Sequence, residues 1–167
     1  MTVYKQHRYG SVLAKDKILL FGDAILTSRI LGKVLKRRNY FFKRITEPSN
    51  ILNDISLFNP KIVILDYSSD EIDCIKLCRK VKFSKSIEHI PVIVIGKHVG
   101  SSSHAIKFLE AGADDYVSKP LNIPLFLARL KVILTWIFAE ENLVKDFAPI
   151  RHTCSTDVQF LNLNYII

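Results

Sequence analysis

The sequence predicts an α/β fold, a doubly wound five-stranded parallel sheet with helices on both faces. Three observations carry that prediction. Apolar runs such as Ile18-Leu19-Leu20-Phe21, Ile62-Val63-Ile64-Leu65 and Pro91-Val92-Ile93-Val94-Ile95 are too short for helices and have the uniform hydrophobicity of strands buried on both faces. Between such runs, apolar residues recur at helical spacing, and this alternation of strand and helix implies a parallel sheet. Finally, Asp23, Asp66, Gly96 and Lys119 all fall at the carboxyl ends of predicted strands, which is the edge where such sheets hold ligands.

Taken in order, residues 1–16 read as a basic arm. Ile18 to Phe21 is the first strand, flanked by Lys17 and Gly22. Thr27 or Ser28 is expected to cap a helix carrying Ile30, Leu31, Val34 and Leu35, since a hydroxyl can accept from the free amides of the first turn. Asn39 stops that helix, and Tyr40 to Ile45 is aromatic and β-branched enough for an edge strand. Pro48-Ser49 starts a short helix with Ile51, Leu52, Ile55 and Leu57, which ends before Asn59-Pro60. Lys61 to Leu65 is the next strand, and Ile72, Ile75, Leu77, Cys78 and Val81 mark a third helix. After the strand Pro91 to Ile95, His104 to Ala111 forms a helix with Ala105, Ile106, Phe108 and Leu109 inward and Gly112 as its C-cap. Asp115 to Val117 is the last strand, and Pro124 opens a helix reaching about Val144. Residues 17–146 thus form one domain, and residues 147–167 are a tail too short for an output domain.

Composition narrows the function. The 167-residue chain is long enough for one well-buried core. Met1 to Lys17 has no apolar segment of the secretory kind. The most apolar stretch, Leu121 to Phe138, is broken by Arg129 and Lys131, against a membrane span. Three cysteines, Cys74 and Cys78 close together and Cys154 distant, make no disulfide framework and point to reduced thiols in the cytoplasm. The formal charge of +8 is concentrated in Arg29, Lys33, Lys36, Arg37, Arg38, Lys43 and Arg44. A solvated helix face accounts for that cluster. A nucleic-acid-binding module is the less favoured alternative, tested by the salt dependence of binding.

At the strand ends an acid (Asp23), a second acid (Asp66) and a cation (Lys119, in Gly-Ala-Asp-Asp-Tyr-Val-Ser-Lys-Pro) converge. With these residues the chain, from about Lys17 to Trp136, resembles the receiver domain of two-component response regulators, whose fold is flavodoxin-like. The resemblance implies Asp66 as phosphoacceptor, Lys119 as the cation on the phosphoryl oxygens and Tyr116 as the aromatic that changes rotamer. It also implies Mg²⁺ held by Asp23, Asp66 and the main-chain carbonyl of Ser68, with a cis peptide before Pro120. A carboxylate can attack phosphorus only where cations offset both negative charges, so the residue types suit the role. Leu77 to Lys82, His89 to Val92 and Glu110 to Tyr116 look most like receivers that precede diguanylate cyclase domains, although no cyclase sequence follows them here.

The departures from the family matter as much. Its acidic pair is Gly22-Asp23, its switch hydroxyl is Gly96, and its Pro and Gly after the phosphoacceptor are Asp70 and Cys74. The expectation is therefore an atypical receiver without enzymatic activity, working through protein contacts, with phosphorylation impaired or absent and Asp66–Lys119 as an ion pair. The alternative is a weakly phosphorylatable single-domain regulator using Asp66 and Mg²⁺. Implied partners are a histidine kinase, a phosphotransfer protein or a downstream signalling protein. The last helix carries two apolar stripes, Ile123, Phe126, Leu127, Leu130, Leu134 and Ile137 on one side and Leu125, Val132, Trp136 and Ala139 on another. A helix needs only one to reach its core, so the second predicts a homodimer, a partner or the tail. Cys74, Cys78, His98 and His104 lack the spacing of a zinc site.

Overall fold

Five strands and five helices alternate in the computed structural model, which describes residues 16–22, 24–66, 73–96 and 103–146. The strands are β1 (Lys17–Phe21), β2 (Phe41–Ile45), β3 (Ile62–Asp66), β4 (Val92–Gly96) and β5 (Asp115–Ser118). The helices are α1 (Ile25–Arg37), α2 (Ile51–Phe58), α3 (Cys74–Lys82), α4 (Ser103–Glu110) and α5 (Ile123–Asp146). All pairings are parallel, in the order β2-β1-β3-β4-β5. The order reverses between β1 and β3, so the crevice of a doubly wound sheet opens there. The doubly wound class predicted from the alternation is thus observed.

Alternation along each strand divides the core in two. Leu19, Phe21, Val63, Leu65, Val92 and Val94 face α2, α3 and α4, packing on Ile51, Ile55, Leu77, Val81 and Phe108. Ile18, Leu20, Ile62, Ile64, Ile93 and Ile95 face α1 and α5, packing on Leu31, Leu35, Phe126 and Leu130. Burial on both faces explains why β1, β3 and β4 read as continuous apolar runs. β2, at the edge, is only half-buried.

Several local expectations need correction. α1 begins at Ile25, with Ala24 as N-cap and no side-chain cap bond. Ser28 instead lies inside the first turn and donates its hydroxyl back to the carbonyls of Ala24 (2.9 Å) and Ile25 (3.0 Å). In α4 only Phe108 is buried, while Ile106 and Leu109 stand about half exposed; the short helix meets the body along one line. Leu57 and Ile30 also face outward. Asn39 and Asn59 end their helices with positive φ, 67° and 48°, which asparagine tolerates better than most residues. The tail 147–167, the arm up to Lys15, Asp23, Ser68, Asp70 and His98 lie outside the described residues. Among the described residues no helix is long and apolar enough to cross a membrane.

Candidate functional site

Asp66 closes β3, buried to 2% exposure, with its Oδ1 2.6 Å from the Lys119 ammonium. The strand delivers the carboxylate to the crevice because Asp66 pairs in register with Ile95 of β4 and follows the fully buried Leu65. Lys119 arrives from just beyond β5, held by its amide on the Gly96 carbonyl (2.8 Å) and followed by a cis bond to Pro120. A buried carboxylate is tolerated only with a hydrogen-bonded counter-charge, and Lys119 supplies one.

The two glycines are filled spaces. A Cβ on Gly22 would lie 2.7 Å from the Asp66 Cβ and 3.1 Å from its carbonyl oxygen. β1 and β3 therefore close on each other where a family acid would stand, and Gly22 adds no carboxylate. A Cβ on Gly96 would fall on the Tyr116 hydroxyl and 2.6 Å from its Cζ. The phenol is turned inward into the volume that a side chain at 96 would need, and its ring stacks on Phe108 with centroids 5.8 Å apart. Burial raises the Tyr116 pKa, so the inward phenol keeps its proton further into the alkaline range than a free one.

The basic cluster is dispersed by the fold. Lys43 pairs with Asp54 at 3.2 Å, and the Arg44 Nε donates to the Gly22 carbonyl at 3.1 Å. The exposed remainder follows α1. Arg44 at the edge of the pocket was missed in the sequence, because nothing local says that a β2 side chain bonds back to the Gly22 carbonyl just past β1. Also missed were Ile25 and Leu26, 64% and 73% exposed on the first turn of α1. Placing the helix start at Thr27 or Ser28 hid them, although two apolar residues after Asp23-Ala24 were a usable signal.

A Mg²⁺ site does not form from the described residues alone. Asp66 is their one carboxylate at the pocket, it is engaged by Lys119, and Gly22 offers none; Asp23 and Ser68 lie outside. Cys74 and Cys78 are buried, and no group of three ligating side chains occurs among the described residues.

Fold, crevice and the buried Asp66–Lys119 pair together define a signalling receiver. The chain belongs to the response regulator receiver domain family, which it matches over residues 18–131. Among curated relatives, it is 36% identical over 75 residues to the phosphate regulon transcriptional regulatory protein PhoB of Rhizobium meliloti, covering 45% of this chain and 33% of that one. It is 27% identical to the response regulator protein GraR of Staphylococcus aureus, covering 78% of this chain and 62% of that one. The chain thus spans from a third to about three fifths of their length. Solved structures agree in fold. The receiver domain of a signal transduction histidine kinase from Syntrophus aciditrophicus matches at a TM-score of 0.65 and 25% identity, over 73% of this chain and 92% of that one. The BeF3-activated receiver domain of Klebsiella pneumoniae RstA matches at 0.63 and 24%, over 71% and 98%. The protein is a receiver domain of two-component signalling.

Proposed function

We propose that this receiver, residues 17–146, signals through protein contacts from a switch held in one arrangement, with phosphorylation at Asp66 impaired or absent and no enzymatic output of its own. The observation that carries this reading is the Tyr116 phenol in the space of the residue 96 side chain. A receiver whose aromatic moves in answer to phosphate needs two positions for the ring and a hydroxyl at 96 to couple them. Here the inward position is already filled and Gly96 has no hydroxyl to move. The closure of Gly22 on Asp66 supports the same reading, because it removes room and charge from the metal side of the pocket. Contacts would be made by α5, by the loop after Gly96 and by the exposed Ile25 and Leu26. The partner would be a downstream signalling protein or a second copy of the chain.

The second reading, weak phosphorylation of Asp66, is favoured by the Asp66–Lys119 geometry. The ammonium that neutralises the carboxylate would hold the phosphoryl oxygens as the carboxylate attacks the phosphorus of a phosphohistidine on a histidine kinase or phosphotransfer protein, forming the O–P bond while the P–N bond breaks and the imidazole leaves. In that reading Asp23, Asp66 and the Ser68 carbonyl are the Mg²⁺ ligands. The resemblance of Leu77–Lys82, His89–Val92 and Glu110–Tyr116 to receivers preceding diguanylate cyclases suggests a cyclase as one such output.

Intact mass and amide NMR spectra with Mg²⁺, before and after acetyl phosphate or beryllofluoride, separate the readings. The expected result is no adduct and no shift at Gly96 or Tyr116. An adduct abolished by Asp66→Asn, with those resonances moving, would establish the second reading.

A further inference from the structure

At the opposite edge of the sheet from Asp66, a groove of about 420 Å³ runs between α5 and the starts of β4 and β5. Its lining is mostly apolar, with Pro91, Val132, Ile133, Trp136 and Ile137, and Trp136 stands 69% exposed. Its polar groups are two carboxylates, Asp114 and Glu140, and the imidazole of His89. Asp114 is engaged through its Oδ2 by the Lys82 ammonium at 3.1 Å and the Val92 amide at 2.7 Å, whereas Glu140 makes no ion pair among the described residues. An exposed indole beside a carboxylate suits a basic or aromatic side chain: the ring attracts a cation over its face and the acid completes the pair. This groove is unusual on a chain of formal charge +8.

A segment of matching chemistry starts close by. Residues 1–15 carry Lys5, His7, Arg8 and Lys15, with Tyr4 and Tyr9, and contain no acid at all. They join the body at β1, where the Lys17 carbonyl accepts from the Lys61 amide at 2.8 Å. The Lys61 ammonium in turn pairs with Glu141 on α5, the neighbour of Glu140. The arm therefore leaves the body one strand away from the acidic end of α5. Reaching the start of β4 means crossing about 10 Å of sheet, whereas fifteen residues span up to roughly 50 Å. The tail 147–167 is a poorer match, since Arg151 and Asp157 cancel and leave only His152 to complement the rim.

We infer that the arm, residues 1–15, docks in this groove through its basic and aromatic side chains and covers Trp136. The docked arm masks the lower half of the outward stripe of α5, so it acts as an internal competitor for whatever binds that face. The inference is independent of whether Asp66 accepts phosphate.

Trp136 is the only tryptophan in the chain, so its fluorescence reports the groove directly. The experiment is acrylamide quenching of the full chain at high dilution, alongside the full-length variant Lys5→Glu/Arg8→Glu and a chain starting at Asp16. A far-UV circular dichroism spectrum checks that each is folded. The expected result is a shielded tryptophan in the full chain and a several-fold steeper quenching slope in both variants, with added salt moving the full chain towards them. A full chain with the slope of a free indole overturns the inference. So does shielding that survives both arm changes, whether it is then lost on truncation after Asp146 (the tail) or on further dilution (a second copy). If the truncated arm variant fails to fold, the charge-reversal variant decides alone.

Discussion

Lys119 is the residue on which the pocket depends most directly. With the Asp66 carboxylate fully buried and the ammonium 2.6 Å away, Lys119→Met strands a charge in the interior. It should lower stability by about 3–5 kcal/mol, read from urea unfolding. Adding Asp66→Asn to Lys119→Met should recover most of that loss, because the neutral pair has no charge left to desolvate; a non-recovering double variant would mean that Lys119 acts through packing. Gly96 makes the opposite prediction, since a residue must be added. Gly96→Thr should expel the Tyr116 ring from its inward position, seen as a change in the Tyr116 ring resonances and the loss of its stacking on Phe108. An unchanged ring environment would show that the loop, and not the ring, gives way. Cys78 sets an alkaline limit. Burial pushes its thiol up to about 11 from 9.0, so below pH 9 both states hold the proton and the term is constant. Between those values the unfolded chain ionises first, and stability falls as pH rises, by at most about 2–3 kcal/mol. Cys78→Ala should flatten that fall in a pH series of unfolding curves.

At the scale of elements, the buried strands were the most legible part of the sequence, because apolar runs of four or five residues admit few alternatives. Helix edges were less so. The start of α1 was misplaced because Thr27 and Ser28 look like caps, whereas the helix starts at Ile25, directly after Ala24. Ser28 then spends its hydroxyl on Ala24 and Ile25. That leaves α1 uncapped at a position with extended backbone, φ −64° and ψ 94°. Ala24→Ser should therefore stabilise the protein by about 0.5–2 kcal/mol, measured as a rise in the urea midpoint at unchanged slope; no rise would mean that the turn already satisfies the first amides. The outward residues of α4 were misjudged for a related reason. Helical periodicity says that one side is buried, but over eight residues it does not say how wide that side is. α5 is the contrary case. Its two stripes were read correctly, with Phe126 and Leu130 buried while Leu125, Val132 and Trp136 stand out at 49%, 56% and 69%.

For the molecule as a whole, position along the sheet was readable and contact was not. That Asp66, Gly96 and Lys119 gather at one edge follows from topology. That the phenol of Tyr116 fills the gap at Gly96, or that Gly22 lets β1 close on Asp66, depends on side-chain placement that no spacing rule encodes. The same holds for the balance between the two edges. One carries the pocket; the other carries the acidic, aromatic groove beside the arm's point of entry. If the arm covers the lower half of the α5 stripe, self-association should depend on the arm and not on the pocket. An uncovered stripe of Leu125, Val132 and Trp136 exposes apolar area that a second copy can bury, and a dimer formed by the same face on both copies is self-complementary. Sedimentation velocity should then find the full chain monomeric where Lys5→Glu/Arg8→Glu dimerises. Adding Val132→Glu to the charge-reversed arm should restore the monomer, and Asp66→Asn should change neither. Dimers that form equally with and without arm charge would separate the stripe from the arm, leaving α5 as a partner face open at all times.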